Sequence, residues 1–89
     1  MTQYPVIHLN GSGHERLADQ YGDVLHAVRN LKERLRVNYP HSRDYYPEEG
    51  AFERAQAQHV ERLRAVDKME ADIKALVVFC RSRGTVREL

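Results

Sequence analysis

Residues 52–80 read FERAQAQHVERLRAVDKMEADIKALVVFC, and this stretch decides the fold. Phe52, His59, Val66, Ile73 and Cys80 recur every seven residues, with Leu63, Met69, Leu76 and Val77 filling between them. That spacing keeps one face of an α-helix apolar and suits long helices packed side by side. Upstream, Leu17, Tyr21, Val24, Val28, Leu31 and Leu35 step alternately by four and three residues, which marks a second apolar stripe on a second helix. Between the stripes lies a short loop, Asn38-Tyr39-Pro40-His41-Ser42-Arg43-Asp44-Tyr45-Tyr46-Pro47, rich in tyrosine and proline. The pattern predicts an all-α chain built as a long antiparallel helical hairpin.

The chain divides into an extended arm or strand with a glycine turn (1–11), helix 1 (12–38), the Tyr/Pro loop (39–47), helix 2 (48–83) and a tail (84–89). Tyr4-Pro5-Val6-Ile7-His8-Leu9 is β-prone but short. A lone strand is unstable, so it pairs as an edge strand with a neighbouring chain or lies on the helices as an arm. Ser12 and Glu15 fit a capping box at the start of helix 1. Gly22 is a mild defect within it, worth roughly 1 kcal/mol relative to alanine. Tyr39-Pro40 ends that helix, because a residue before proline avoids the α region. Glu48, Glu49 and Glu53 place negative charge at the positive end of helix 2, and Gly84 marks its stop.

At 89 residues this is one small domain, and a single helix pair has a seam where a larger chain has an enclosed core. A second hairpin is the simplest cover. An even-numbered homo-oligomer, forming a helical bundle, is therefore expected. Fourteen basic and 13 acidic side chains nearly balance with no basic block, which disfavours electrostatic binding to DNA or RNA. Eleven of the basic residues are arginine. That bias suits anion recognition, and it is equally what an arginine-rich genome produces. One cysteine makes no internal disulfide and fits a reducing compartment. Tyr4, Pro5, His8 and Asn10 interrupt any early apolar run, and Ala75–Cys80 is too short to span a bilayer, so a cytoplasmic protein without membrane contact is expected.

Two constellations carry chemistry. In Asn10-Gly11-Ser12-Gly13-His14, with Arg16 one turn on, glycines let successive amides point inward at a helix start. A phosphate fits there, held by Ser12, His14 and Arg16; the plainer reading is a turn and a helix cap. The lysine and longer glycine spacing of a Walker loop are missing. In Arg43-Asp44-Tyr45-Tyr46-Pro47, tyrosines offer faces for stacking a nucleobase, Arg43 meets phosphate, and Asp44 accepts from a base edge or ribose. The plainer reading has the tyrosines closing the end of the bundle while Asp44 orders the turn. Five histidines form no pair at metal-ligand spacing, so neither metal nor cofactor is expected. His59 falls on the apolar stripe and reads as a satisfied core histidine. Asp67, Glu70 and Asp72 are spaced like a solvated face, and no enzyme is expected.

His8-Leu9-Asn10-Gly11-Ser12-Gly13, Arg43-Asp44-Tyr45-Tyr46-Pro47 and Ala55-Gln56-Ala57-Gln58-His59 together resemble a group of small helical proteins encoded in bacteriophage genomes. The resemblance covers the chain to about Val78 and is specific in the first two motifs. It implies a phage setting. Small phage proteins often counter host immunity, several as oligomeric helical sponges that sequester cyclic oligonucleotides or cyclic ADP-ribose signals. That link is analogy of size, helicity and source, so no binding residue is carried over. The expected function is a non-enzymatic binding protein that takes up a phosphate-bearing nucleotide second messenger at subunit interfaces. The alternatives are an inhibitor or adaptor acting on a host protein, and a structural phage component.

Overall fold

Two helices and one turn of 3-10 helix make up the regular structure of this computed structural model, which describes residues 2–8 and 11–86, with side chains up to Ser82. Helix α1 spans His14–Val37, the 3-10 turn Ser42–Asp44, and α2 Ala51–Val86. The helices pack antiparallel as a hairpin of 64 × 21 × 20 Å. Its radius of gyration is 18.9 Å, against about 12 Å for a compact domain of this length.

Helix α1 starts one residue later than a Ser12–Glu15 capping box requires. Gly13 is the cap residue, with extended backbone (φ −69°, ψ 161°) and no side-chain cap bond. Its carbonyl accepts the first helical hydrogen bond, from the Leu17 amide at 3.0 Å. Ser12 thus sits outside the helix and Glu15 one place too early to reach back. At the other end the helix stops at Val37, ahead of Tyr39-Pro40, and Asn38 caps it. Both its amide (3.1 Å) and its side-chain Nδ2 (2.8 Å) donate to the Arg34 carbonyl, satisfying an acceptor orphaned by the helix end.

Helix α2 starts at Ala51 and not at Glu48. Gly50 has φ +78°, a left-handed conformation that breaks the helical run, and its carbonyl accepts the Arg54 amide at 3.1 Å. Glu48 and Glu49 consequently lie in the turn before the helix, and only Glu53 occupies its first turn. The helix also runs through Gly84 to Val86, where a stop was expected. One glycine within a helix weakens it by about 1 kcal/mol, which is not enough to end it.

The seam between the helices differs from the predicted stripe on α1. Ala18, Leu25 and Val28 are buried, Tyr21, Lys32 and Leu35 half-buried, whereas Val24 and Leu31 are 40% and 47% exposed. The facing line is 18, 21, 25, 28, 32, 35, one residue round from the 17, 24, 31 positions. On α2 the heptad prediction meets the seam: His59, Val66, Leu76, Val77 and Cys80 are buried and Phe52, Leu63 and Ile73 half-buried, with Met69 outside it. Among the described residues an ion-paired layer crosses one edge of the seam. Lys32 Nζ meets Asp67 Oδ1 at 2.7 Å and Glu70 Oε1 at 3.0 Å, and Arg29 Nε meets Glu70 Oε2 at 2.8 Å. His59, 4% exposed, donates from Nε2 to the Leu35 carbonyl at 2.6 Å, with the Tyr39 ring edge-on at 4.8 Å. It is a satisfied core histidine that also caps the end of α1 from across the seam.

Residues 2–8 form no strand. They lie as an extended arm on α2: Tyr4 stacks on Phe79 with ring centroids 4.7 Å apart, and the Thr2 hydroxyl donates to the Asp72 carboxylate.

Candidate functional site

The glycine turn sits where the arm meets α1. The Gly11 amide donates to the His8 carbonyl at 3.3 Å, so one of the amides available to an anion is already used. The His8 ring packs so near Gly11 that an added Cβ would lie 2.8 Å from Nε2, so a side chain there would displace the exposed His8 ring. Ser12, Gly13 and Arg16 are exposed and His14 is half-buried, its Nε2 4.0 Å from Glu15 Oε1. Asn10 lies outside the described residues.

The tyrosine loop is wound into successive turns. The His41 ring Nδ1 accepts from the Arg43 amide (3.0 Å), the Asp44 amide donates to the His41 carbonyl (3.1 Å), and the Tyr45 amide to that of Ser42 (3.0 Å). The turn is held by its own backbone and by His41, so Asp44 contributes no side-chain bond to it among the described residues. Tyr45 is half-buried and tilts against Phe52 at 6.3 Å, whereas Tyr46 is 80% exposed. Arg43 and Asp44 are exposed, and Arg43 has no carboxylate partner among the described residues. One tyrosine therefore anchors the loop and the other is presented to solvent.

Tyr45 borders two open hollows, and Glu48 lines both. One, of about 310 Å³, lies between Pro40, Tyr45 and the α2 residues Arg54, Gln58 and Arg62. The other, of about 250 Å³, is bordered by Tyr46, Glu48, Glu49 and Glu53. Both fall at or below the small end of ligand pockets, which start near 300 Å³. Arg54 is held by Glu48, while Arg62 has no carboxylate partner among the described residues. Among the described residues Arg62 is thus the unpaired cation of the first hollow, whereas the charged side chains lining the second are all carboxylates. The residues at 54, 58 and 62 step by four, so they form one line on a helix immediately after the loop; that spacing was the signal by which the sequence could have revealed them.

The two motifs do not meet within one chain. They lie at opposite ends of an unbroken α1, some 35 Å apart by helix rise. Among the described residues no three His, Cys, Asp or Glu side chains are grouped to hold a metal ion. Cys80, fully buried, has its thiol pushed up by that burial, so it stays protonated and unreactive. No described helix is long and apolar enough to cross a membrane. No family model matches the chain, and neither a curated protein nor a solved structure matches it significantly.

Proposed function

We propose that this chain is a non-catalytic binding protein, working as an even-numbered homo-oligomer that sequesters a phosphate-bearing nucleotide signal between subunits. The phage setting implied by its two motifs makes antiphage defence the process it counters, in the cytoplasm of an infected bacterium. One observation carries the reading: the glycine turn and the tyrosine loop are each open to solvent and stand at opposite ends of a straight hairpin. An antiparallel neighbour would bring the turn of one chain to the loop of the other. The base then stacks on Tyr46, and the phosphate lies among Arg43, Arg62 and the amides at Ser12–His14, away from Glu49 and Glu53.

Native mass spectrometry with a panel of cyclic dinucleotides, cyclic trinucleotides and cyclised ADP-ribose tests this. An oligomer retaining one intact nucleotide per interface is the expected result. Arg43→Ala and Tyr46→Ala should each lower retention at least tenfold while leaving the oligomer intact. Retention unchanged by both would remove the loop from the site. A second reading, an adaptor for a host protein, is favoured by an apolar hollow of about 500 Å³ between Tyr4, Ala71, Ala75 and Val78. An oligomer that ignores the whole panel but captures one host protein stoichiometrically would select it.

A further inference from the structure

The two edges of the hairpin differ in kind. Along one, Arg29, Lys32, Asp67 and Glu70 cross-link the helices with ion pairs. By the geometry of an antiparallel pair, the other edge carries Leu17, Val24 and Leu31, with Met69 level with Leu31. Val24, Leu31 and Met69 are exposed and Leu17 is half-buried, so this apolar edge is wet on both helices around Val24 and Leu31. The adjoining line on α1 adds Gln20 and Ala27, which leaves 17, 20, 24, 27 and 31 uncharged over four turns of a helix otherwise dense in Glu, Asp, Arg and Lys.

We infer that this edge is where a second copy of the chain docks, as a two-fold pair with the α1 helices antiparallel about Val24. The ridge is self-complementary under that operation. Leu17 and Leu31 stand seven residues either side of Val24, so Leu17 of each chain meets Leu31 of the other, and Val24 meets itself. Such matching is what an isologous interface requires. The elongated chain as a whole leaves surface to spare for such a contact. The chain exposes 7074 Å², about 1,700 Å² above what a compact chain of this mass shows, and a standard interface takes about 800 Å² from each partner. The same operation sets Gly11 level with Val37 of the second copy, at the threshold of its tyrosine loop. The inference thus deepens the proposed function and rests on its subunit interface, since a parallel pair would keep the motifs apart.

Cross-linking decides the arrangement. In the antiparallel pair, Leu17→Cys and Leu31→Cys chains become neighbours only when mixed, because like positions are separated by about 21 Å of helix rise. A short bis-maleimide should therefore give covalent dimers from the mixture and not from either chain alone; buried Cys80 serves as an internal control for unfolding. Dimers from one variant alone would establish a parallel pair and overturn the inference, as would the absence of any cross-link. Val24→Glu puts two like charges at the two-fold axis and should weaken the dimer about a hundredfold by sedimentation, with helix content unchanged. Mixing it with Val24→Lys should restore dimers. Dimers unaffected by Val24→Glu would place the interface elsewhere. A cross-linked dimer that retains no nucleotide would overturn only the ligand, whereas nucleotide held by a monomer would overturn only the interface.

Discussion

At Gly50 the backbone takes φ +78° immediately before α2, and an added Cβ would lie 2.8 Å from Arg54 Nη1. The backbone is what makes a side chain costly there, because L-residues avoid the left-handed region, whereas the flexible end of Arg54 can swing aside. Gly22 is the opposite case. It lies inside α1 with nothing within 4 Å of the position its Cβ would occupy, so its backbone freedom serves no contact among the described residues. Gly50→Ala should therefore destabilise the protein by about 1–2 kcal/mol, while Gly22→Ala should stabilise it by roughly 0.5–1 kcal/mol. Urea unfolding midpoints of the two variants measure this directly. A neutral Gly50→Ala would mean that the turn into α2 is looser than described, and a destabilising Gly22→Ala would reveal a close neighbour at that face. The Gly22 position lies on the ion-paired edge, so its alanine should leave self-association unchanged.

Between the helices, the polar layer of Arg29, Lys32, Asp67 and Glu70 fixes how one slides past the other, as a polar seam position does in coiled coils. Arg29 first, and Lys32 second, hold the Glu70 carboxyl below its ordinary value of 4.5. A carboxylate with a lowered folded pKa contributes stability that is present above its unfolded pKa and is lost as pH falls through the folded value. Acidification below about pH 4.5 should therefore loosen the seam, and Glu70→Gln should make the loss of melting temperature between pH 6 and 3 shallower than in the parent chain. An identical acid slope would remove Glu70 from the layer that sets the register. The layer also shows why the helices and the α2 side of their seam were legible in the sequence and the α1 side was not. Periodicity fixes that 17, 21, 24, 28, 31 and 35 share a broad apolar side, yet the centre of that side is decided by what α2 presents. Lys32 bridges to two carboxylates of α2 at one edge of the seam and Val24 is left outside it, and no propensity of either residue announces this. The Ser12–Glu15 box likewise matched its pattern but lost to Gly13, one position later. At the loop, the tyrosines were visible as a cluster, whereas the partition into one anchored ring and one exposed ring depends on Phe52 and the turn before Gly50.

A hairpin 64 Å long and about 20 Å across buries a line of side chains where a compact fold would bury a volume, so its stability should depend on what covers the line. If a second copy docks on the Leu17–Val24–Leu31 edge, folding and association are linked, and the melting temperature must rise with protein concentration by mass action. Each tenfold increase adds about 1.4 kcal/mol to the free energy of unfolding a dimer into two free chains. For a dimeric unit of this size each kcal/mol moves the midpoint by about 2–4 °C, so a hundredfold range of concentration should shift it by roughly 6–11 °C. The shift should disappear in Val24→Glu, which keeps the seam residues but charges the proposed axis. Differential scanning fluorimetry across that range reads both results in one experiment. A midpoint independent of concentration in the parent chain would mean that the hairpin stands alone, with its apolar edge wet. In that case no subunit interface would exist to unite the glycine turn with the tyrosine loop. A shift that persists in Val24→Glu would instead move the covering contact to another face, with the arm side of α2 around Tyr4 and Val78 as the next surface to charge.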